Sequence, residues 1–291
     1  MRFAFIHSER DAYPLAALCR AMQVARSGYH AWATRAECAR RREDRMLAAH
    51  VAAAFERSRR SYGSPRIAAE LRAEGLRVGR ARVARLMRER GLAARRRKAF
   101  RTAPACCGPA EAAPNRLGRR FAARGPDRKW VTDVKYVRTG EGWLYVAPVV
   151  DVFSRRVVGL AMSDRQDGGL AMAALADASR RRGRPRGVML HSDRGGIYGD
   201  AGYVGMLAGL GVRRSMSRRR NPWDNAVIES FFSTLTFELL SRNRYADHGS
   251  ARRSIEEWIE CFYNPLRRHT TLGGASPVRY EMAWQMRTRR S

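Results

Sequence analysis

The chain has 291 residues, 45% of them hydrophobic, enough for one large globular body or two modest ones. No run approaches the roughly 18 uninterrupted apolar residues of a membrane span. Arg2, His7, Glu9, Arg10 and Asp11 break any signal-like apolar core, so a soluble, cytoplasmic protein is expected. Lys and Arg number 57 against 27 Asp and Glu, and a net charge of +30 calls for a polyanionic partner, nucleic acid before membrane.

Lys98, Lys129 and Lys135 are the only lysines. The other basic residues are Arg, whose guanidinium forks suit phosphate, although an Arg-favouring codon bias gives the same composition. Cys19, Cys38, Cys106, Cys107 and Cys261 form no C-x-x-C pair and no zinc-ligand spacing, so free thiols in a reducing compartment are expected.

Residues 1–128 carry 30 basic and 11 acidic side chains, a net +19. Pro14–Met22 and Ser27–Trp32 predict two short helices joined by a turn. Glu43–Arg59 predicts a longer one, with Met46, Val51 and Phe55 inward. A turn at Tyr62–Ile67 opens a helix that buries Ile67 and Leu71 and ends at Gly75. Leu76 and Val78 then plug the core, and a second helix runs from about Arg80 to Gly91. Val83, Leu86 and Met87 are its inner face, leaving Arg82, Arg85 and Arg88 outside. Two short helices about a Gly turn, the second with a basic outer face, describe a DNA-binding helix-turn-helix; a small bundle with solvated arginines is the plainer alternative. Residues 1–94 are therefore a helical DNA-binding region, and 95–128, poor in large apolar residues and containing prolines, a basic linker.

Residues 129–291 alternate strand and helix. Trp130–Val137, Trp143–Val150 and Arg156–Met162 predict three antiparallel strands. Leu170–Arg181 (helix), Gly187–His191 (strand), Tyr203–Leu210 (helix) and Val212–Met216 (strand) follow, and Asp224 reads as the cap of a helix from Asn225 to about Ser241. This order gives a mixed five-stranded sheet with flanking helices, the α/β arrangement of a ribonuclease-H-like fold.

Three carboxylates stand out on this frame. Asp133 interrupts an otherwise apolar strand, where an idle carboxylate is costly to bury. Asp193 directly follows a strand, at the end where α/β folds place their sites. Glu229 lies on the edge of the Asn225–Ser241 helix, on a stripe with Asn225, Ser233 and Thr236. Carboxylates from three elements can hold two Mg²⁺ ions that activate attacking and leaving oxygens, and all-oxygen sites suit Mg²⁺. Asp151, Asp164, Asp167, Asp200 and Asp224 read instead as turn or helix caps.

The motifs W-V-T-D-V-K-Y (Trp130–Tyr136), H-S-D-R-G-G-I-Y (His191–Tyr198) and S-M-S-R-R-R-N-P-W-D-N-A-V-I-E-S-F-F (Ser215–Phe232) resemble the DDE transposases of the bacterial insertion-sequence family related to retroviral integrases. The spacing of 35 residues between Asp193 and Glu229 is the family's. S-G-Y-H-A-W (Ser27–Trp32), Y-G-S-P-R-I (Tyr62–Ile67) and Y-N-P-L-R-R-H-T-T-L-G (Tyr263–Gly273) extend the resemblance over almost the whole chain. Asp133, Asp193 and Glu229 match the catalytic, metal-binding triad, which implies two Mg²⁺ ions, with Mn²⁺ as a substitute. The resemblance implies a polynucleotidyl transferase, the second-reading-frame product of an element, that cleaves and transfers DNA strands without a nucleotide cofactor. Its partners would be double-stranded DNA (terminal inverted repeats and target), further copies of itself, and the upstream-frame product of the element. The sequence departs from the pattern at Arg220, Pro222, Gly196-Ile197 and Gly274, and Thr236 stands where a DNA-contacting Lys is usual. Arg220 is the residue placed to supply that missing charge, and with Asn225, Arg82, Arg85 and Arg88 it makes up the expected DNA-contact set. A nuclease of the same fold that cuts without rejoining, and a catalytically silent regulator from a decayed element, are the rival readings.

Overall fold

The computed structural model describes residues 1–35, 38–94, 112–219 and 221–289. The linker stretch 95–111, Cys106, Cys107 and Arg220 lie outside the described residues.

Three short helices, α1 (Arg2–Glu9), α2 (Leu15–Ala21) and α3 (Arg26–Ala33), close around a small core of Ile6, Leu18, Cys19 and Tyr29. The sequence reading passed over α1, because its charges hide the single apolar turn that Phe3 and Ile6 supply. Next come α4 (Ala39–Arg57), α5 (Ser64–Ala73) and α6 (Arg80–Glu89). On α4 the buried stripe is Leu47, Val51, Ala54 and Phe55. Met46, expected inside, is 68% exposed, since it lies one 100° step off that stripe. Gly75 and Gly91 take positive φ (86° and 64°) and end α5 and α6, as C-terminal glycines do. Val83, Leu86 and Met87 are buried on α6.

The outer face of α6 departs from expectation. Arg82 binds Asp44 at 2.7 Å and Glu43 at 3.1 Å, and Arg85 binds Asp44 at 2.5 Å and Glu89 at 2.8 Å. Both guanidiniums therefore fasten α6 to α4 instead of projecting freely, because α4 brings two carboxylates alongside. Arg88 is exposed, as are Arg77 and Arg80 at the start of the helix.

The remainder is a mixed sheet between helices: β1 (Lys129–Thr132), β2 (Lys135–Thr139), β3 (Gly142–Asp151), β4 (Val157–Ser163), α7 (Gly168–Arg181), β5 (Met189–Ser192), α8 (Ala201–Gly209), β6 (Arg213–Met216), α9 (Ala226–Glu238), α10 (His248–Glu257) and α11 (Pro277–Thr288). The expected first strand is two. β1 and β2 meet β3 antiparallel in one continuous register, broken only at Asp133 and Val134. That register sets Pro148 opposite Asp133, and proline has no N–H to offer a ladder. Six strands thus occupy five positions, β4-β3-β1/β2-β5-β6, with β5 and β6 parallel to β1.

Successive strand residues face opposite sides, and both sides are covered. Trp130, Ala147, Val149 and Leu190 pack beneath α7 and α8 with Leu175 and Leu207. Val131, Val146, Val150 and Met189 join α9 and α10 through Ile228, Phe231, Leu235 and Trp258, and this core runs on into Val51, Ile67 and Leu86 of the helix-turn-helix region. Polar contacts reinforce the junction: Arg59 pairs with Glu257 at 2.6 Å, Arg268 with Glu70, and the Arg268 backbone N–H donates to the Tyr62 hydroxyl at 2.7 Å.

Residues 112–128, linker-like in composition, pack on the sheet domain. Leu117 is buried, and the backbone N–H groups of Arg116 and Leu117 donate to the Ser215 hydroxyl at 3.0 and 3.2 Å. Asp167 and Asp200 cap α7 and α8 as expected. Asp224 does not cap α9: it is fully buried, bound by Arg218 at 2.8 Å and Arg119 at 2.9 Å, with Asn115 donating at 2.8 Å.

Two predictions follow from this packing. Arg82→Ala and Arg85→Ala lower the melting temperature of the helical region, whereas Arg88→Ala leaves it unchanged; equal melting curves for all three would show that the pairs with Asp44 contribute nothing. Asp151 is more than a turn former. It is fully buried and accepts from the backbone N–H groups of Phe153 and Asp127, both at 2.7 Å, and of Ser154 at 3.0 Å. An Asn turns its NH₂ toward one of these donors, so Asp151→Asn costs about 1–3 kcal/mol, read as a lower urea midpoint.

Candidate active site

The pairing of β1 with β5 brings two carboxylates together. Lys129 lies beside Met189, Trp130 beside Leu190 and Val131 beside His191. Carried two residues further, the same register sets Asp133 beside Asp193, one strand spacing away, roughly 4.8 Å between backbones. Both stand at the carboxyl ends of parallel strands. Each turns one oxygen back on its own loop: Asp133 accepts from the Val134 N–H and Asp193 from the Gly195 N–H, both at 2.8 Å.

Glu229 comes from the first turns of α9. The start of that helix is held to β1 by Asn225, whose Nδ2 reaches the Thr132 carbonyl at 3.5 Å. All three carboxylates line one cleft of about 410 Å³, together with Asn225, Arg194, Arg218 and Tyr136. Burial, then the charges of Asp193 and Glu229, hold the Asp133 carboxyl far above the usual carboxylate range. Burial raises Asp193 as well. Glu229 is raised by burial and the Asp193 charge, against the opposing pull of Lys135.

This donor set fits a divalent cation. It is all oxygen and partly desolvated. Among the described residues no three His, Cys, Asp or Glu side chains converge on one point. A divalent ion held here would complete its shell with water or phosphate oxygens.

Other expected site residues fall differently. Asn225, expected to touch DNA, is only 3% exposed and stands behind the carboxylates, its Oδ1 without a partner among the described residues. Thr236 lies in the next groove, lined by Lys135, Tyr136, Arg138, Trp143 and Arg244. Positive charge is thus already present there, from strand β2 and the loop after α9.

Sequence reasoning missed two supports. His191 is fully buried, its Nδ1 2.8 Å from the Ser215 hydroxyl and its Nε2 3.1 Å from that of Ser217. Asp224 pins the cleft-lining residues 217–219 and 221–225 to Asn115 and Arg119; the Arg218 guanidinium beside it, with further hydrogen bonds, holds its carboxyl well below the usual range. Its partners Asn115 and Arg119 lie more than a hundred residues away, so no local pattern signals them.

Comparison with known proteins agrees in extent with this architecture. Integrase core domain models match residues 123–222 and 210–277, and an HTH-like domain model matches residues 41–100. Transposase InsF for insertion sequence IS3A of Escherichia coli is 39% identical over 283 residues, 97% of this chain and 98% of its own length. The insertion element IS600 uncharacterized 31 kDa protein of Shigella sonnei is 39% identical over 263 residues, 90% of this chain and 97% of that protein. Among solved structures, the catalytic core domain of BIV integrase is 16% identical with a TM-score of 0.43, covering 56% of this chain and 99% of that one.

The raised carboxyls make a signed prediction. A carboxyl whose folded pKa lies above its unfolded value favours the native state at low pH and loses that contribution as pH rises through the folded pKa. The metal-free protein therefore loses stability from about pH 4 upward, more than an Asp133→Asn/Asp193→Asn/Glu229→Gln variant does. Mg²⁺ restores wild-type stability near neutral pH and leaves the variant unmoved. A wild-type melting temperature insensitive to Mg²⁺ at pH 8 would refute the metal site.

Proposed function

This chain belongs to the IS3-family DDE transposases, polynucleotidyl transferases built on an integrase catalytic core, and we propose that it cleaves and transfers DNA strands at the ends of an insertion sequence, using Asp133, Asp193 and Glu229. The observation that carries this reading is the gathering of these three carboxylates, from the ends of β1 and β5 and from α9, in one cleft where Asp193 and Glu229 raise the pKa of Asp133 and Asp193 raises that of Glu229. Two Mg²⁺ ions, or Mn²⁺ in their place, would supply Lewis acidity to the attacking and leaving oxygens. Asp133, Asp193 and Glu229 would be the side chains that hold them. Asn225 fixes the start of α9 against β1 and so sets where Glu229 enters. Arg194 and Arg218, lining the same cleft, would receive the phosphates flanking the scissile bond.

In this reading the substrate is double-stranded DNA, the terminal inverted repeats first and target DNA second, handled by a multimer of the chain. The upstream-frame product of the same element would be a further partner. The helix-turn-helix region would grip DNA through Arg88, Arg77 and Arg80, since Arg82 and Arg85 are committed to α4. Among the described residues no helix is long and apolar enough to cross a membrane, which accords with action on cytoplasmic, nucleoid DNA.

The test uses the full chain, Mg²⁺ and a duplex carrying the element's own terminal repeat. Asp133→Asn, Asp193→Asn and Glu229→Gln each reduce cleavage and joining by at least about a thousandfold, the scale of removing a transition-state charge stabiliser, while duplex binding stays within a few fold. Cleavage without any joined product would select the nuclease reading. Binding without cleavage by the wild type would select the silent regulator. Wild-type turnover by Glu229→Gln would sink the site assignment.

A further inference from the structure

Behind α9, on the flank away from the carboxylate cleft, lies a second cavity of about 330 Å³. Its walls come from four separate places: Arg66 on α5, Arg155 in the turn between β3 and β4, Ser230 and Thr234 on α9, and Arg267, His269 and Thr271 in the segment before α11. Three guanidiniums face it and no Asp or Glu lines it. Arg267 is neutralised: it is 4% exposed and grips the buried Glu238 through Nε and Nη2 at 2.8–3.1 Å. Arg155 is not. Its Nη1 is buried and has no hydrogen-bond partner among the described residues. Nearby Asp151 is already engaged by three backbone N–H groups.

The backbone at Arg155 adds a second observation. It sits at φ +62°, the left-handed region that a hairpin turn normally gives to Gly or Asn. Neither of those could send a cation inward. The Tyr263 hydroxyl donates to the Arg155 carbonyl at 3.0 Å and helps hold the turn. Burial and the three guanidiniums together keep His269 neutral, with its pKa well below the usual imidazole range. A buried guanidinium donor without an acceptor is costly, and a tetrahedral oxyanion meets the need with acceptors in several directions. The hydroxyls of Ser230 and Thr271, which also line the cavity, supply further donors.

We propose that this cavity binds a phosphate-class anion that bridges Arg66 of the helix-turn-helix region to Arg155 and the rear of α9. Nothing in it takes part in the carboxylate chemistry, so the site stands or falls independently of strand transfer. Two sources offer the same chemistry, a phosphodiester of bound DNA or a free inorganic phosphate. An occupant would draw α5, the β3–β4 turn and the catalytic helix onto one charge, coupling DNA-domain placement to the position of Glu229.

The probe is inorganic phosphate, titrated against the full-length chain in metal-free buffer, with chloride at matched ionic strength as control. Phosphate about tenfold above its dissociation constant raises the wild-type melting temperature by about 3 °C over chloride. Arg155→Met and Arg66→Met, on opposite walls, each weaken the phosphate response at least about tenfold, the cost of a lost charge-assisted contact. Arg155→Lys recovers part of it and keeps the test alive should the Met variant fail to fold. A second arm identifies the source. If saturating duplex DNA abolishes the phosphate response and Arg155→Met flattens the slope of log K against log salt by about 0.9, the occupant is a DNA phosphate. If the phosphate response persists with DNA bound and the slope is unchanged, it is a free anion. A wild type that answers phosphate no better than chloride, or folded Arg66→Met and Arg155→Lys variants that respond like wild type, would overturn the proposal.

Discussion

The parallel pairing of β1 with β5 sets Asp133 and Asp193 at adjacent strand ends, where desolvation raises both and the Asp193 charge raises Asp133 further. Two charged carboxylates one strand spacing apart repel by roughly 3 kcal/mol at an effective dielectric of about 20. Folding alone cannot relieve that repulsion, since Glu229 adds a third negative group and Lys135 opposes it only in part. Either protons or cations must. At neutral pH a divalent ion is the answer the proposed function supplies, and the unrelieved repulsion is the reason these carboxylates would take one. The break between β1 and β2 belongs to the same design: Pro148 opposite Asp133 ends the ladder there and frees the carboxylate from the sheet.

Holding such a site still requires anchors that do not depend on the ion. Asp224, wholly buried, gathers Arg218, Arg119 and Asn115 and so ties the cleft-lining loop to the segment that precedes β1. His191 joins Ser215 and Ser217 beneath the same loop, and Ser215 in turn receives two backbone donors from residues 116 and 117. A charge of +30 would otherwise drive these basic segments apart. Buried carboxylates are spent one by one to hold them: Asp224 on the loop, Glu238 on Arg267, and Glu281 on Arg156 and Arg182. Removing one member of such a pair strands a buried charge, which costs far more than the intact pair contributes.

The continuous core between the helix-turn-helix region and α9 and α10 has a mechanical consequence. Val51, Ile67 and Leu86 belong to the same packed cluster as Ile228 and Leu235, so the helices of the HTH-like region are not merely tethered to α9 but packed with it. Interiors packed to this density transmit displacement instead of absorbing it. The arginine-lined cavity behind α9 lies at that junction, where a bound anion would act on both regions.

By itself the sequence determined the elements and the chemistry carried at their ends. Apolar runs such as Trp143–Val150, the Gly stops at 75 and 91, and acidic residues placed directly after or within apolar strands are local signals, readable because backbone geometry forces them. The motifs around Asp133, Asp193 and Glu229 identified the family, and 39% identity to InsF over 97% of the chain agrees. Only the tertiary structure decided which charges are free. Arg82 and Arg85 read as an exposed basic face until α4 brought Asp44 beside them. Asp224 read as a helix cap until Arg119, 105 residues earlier, reached it. Asn225 read as a DNA contact until α9 packed it behind the carboxylates. In each case an apolar pattern fixes which face of an element turns inward, but a long polar side chain takes its partner from whatever the fold brings near, and chain order does not record that.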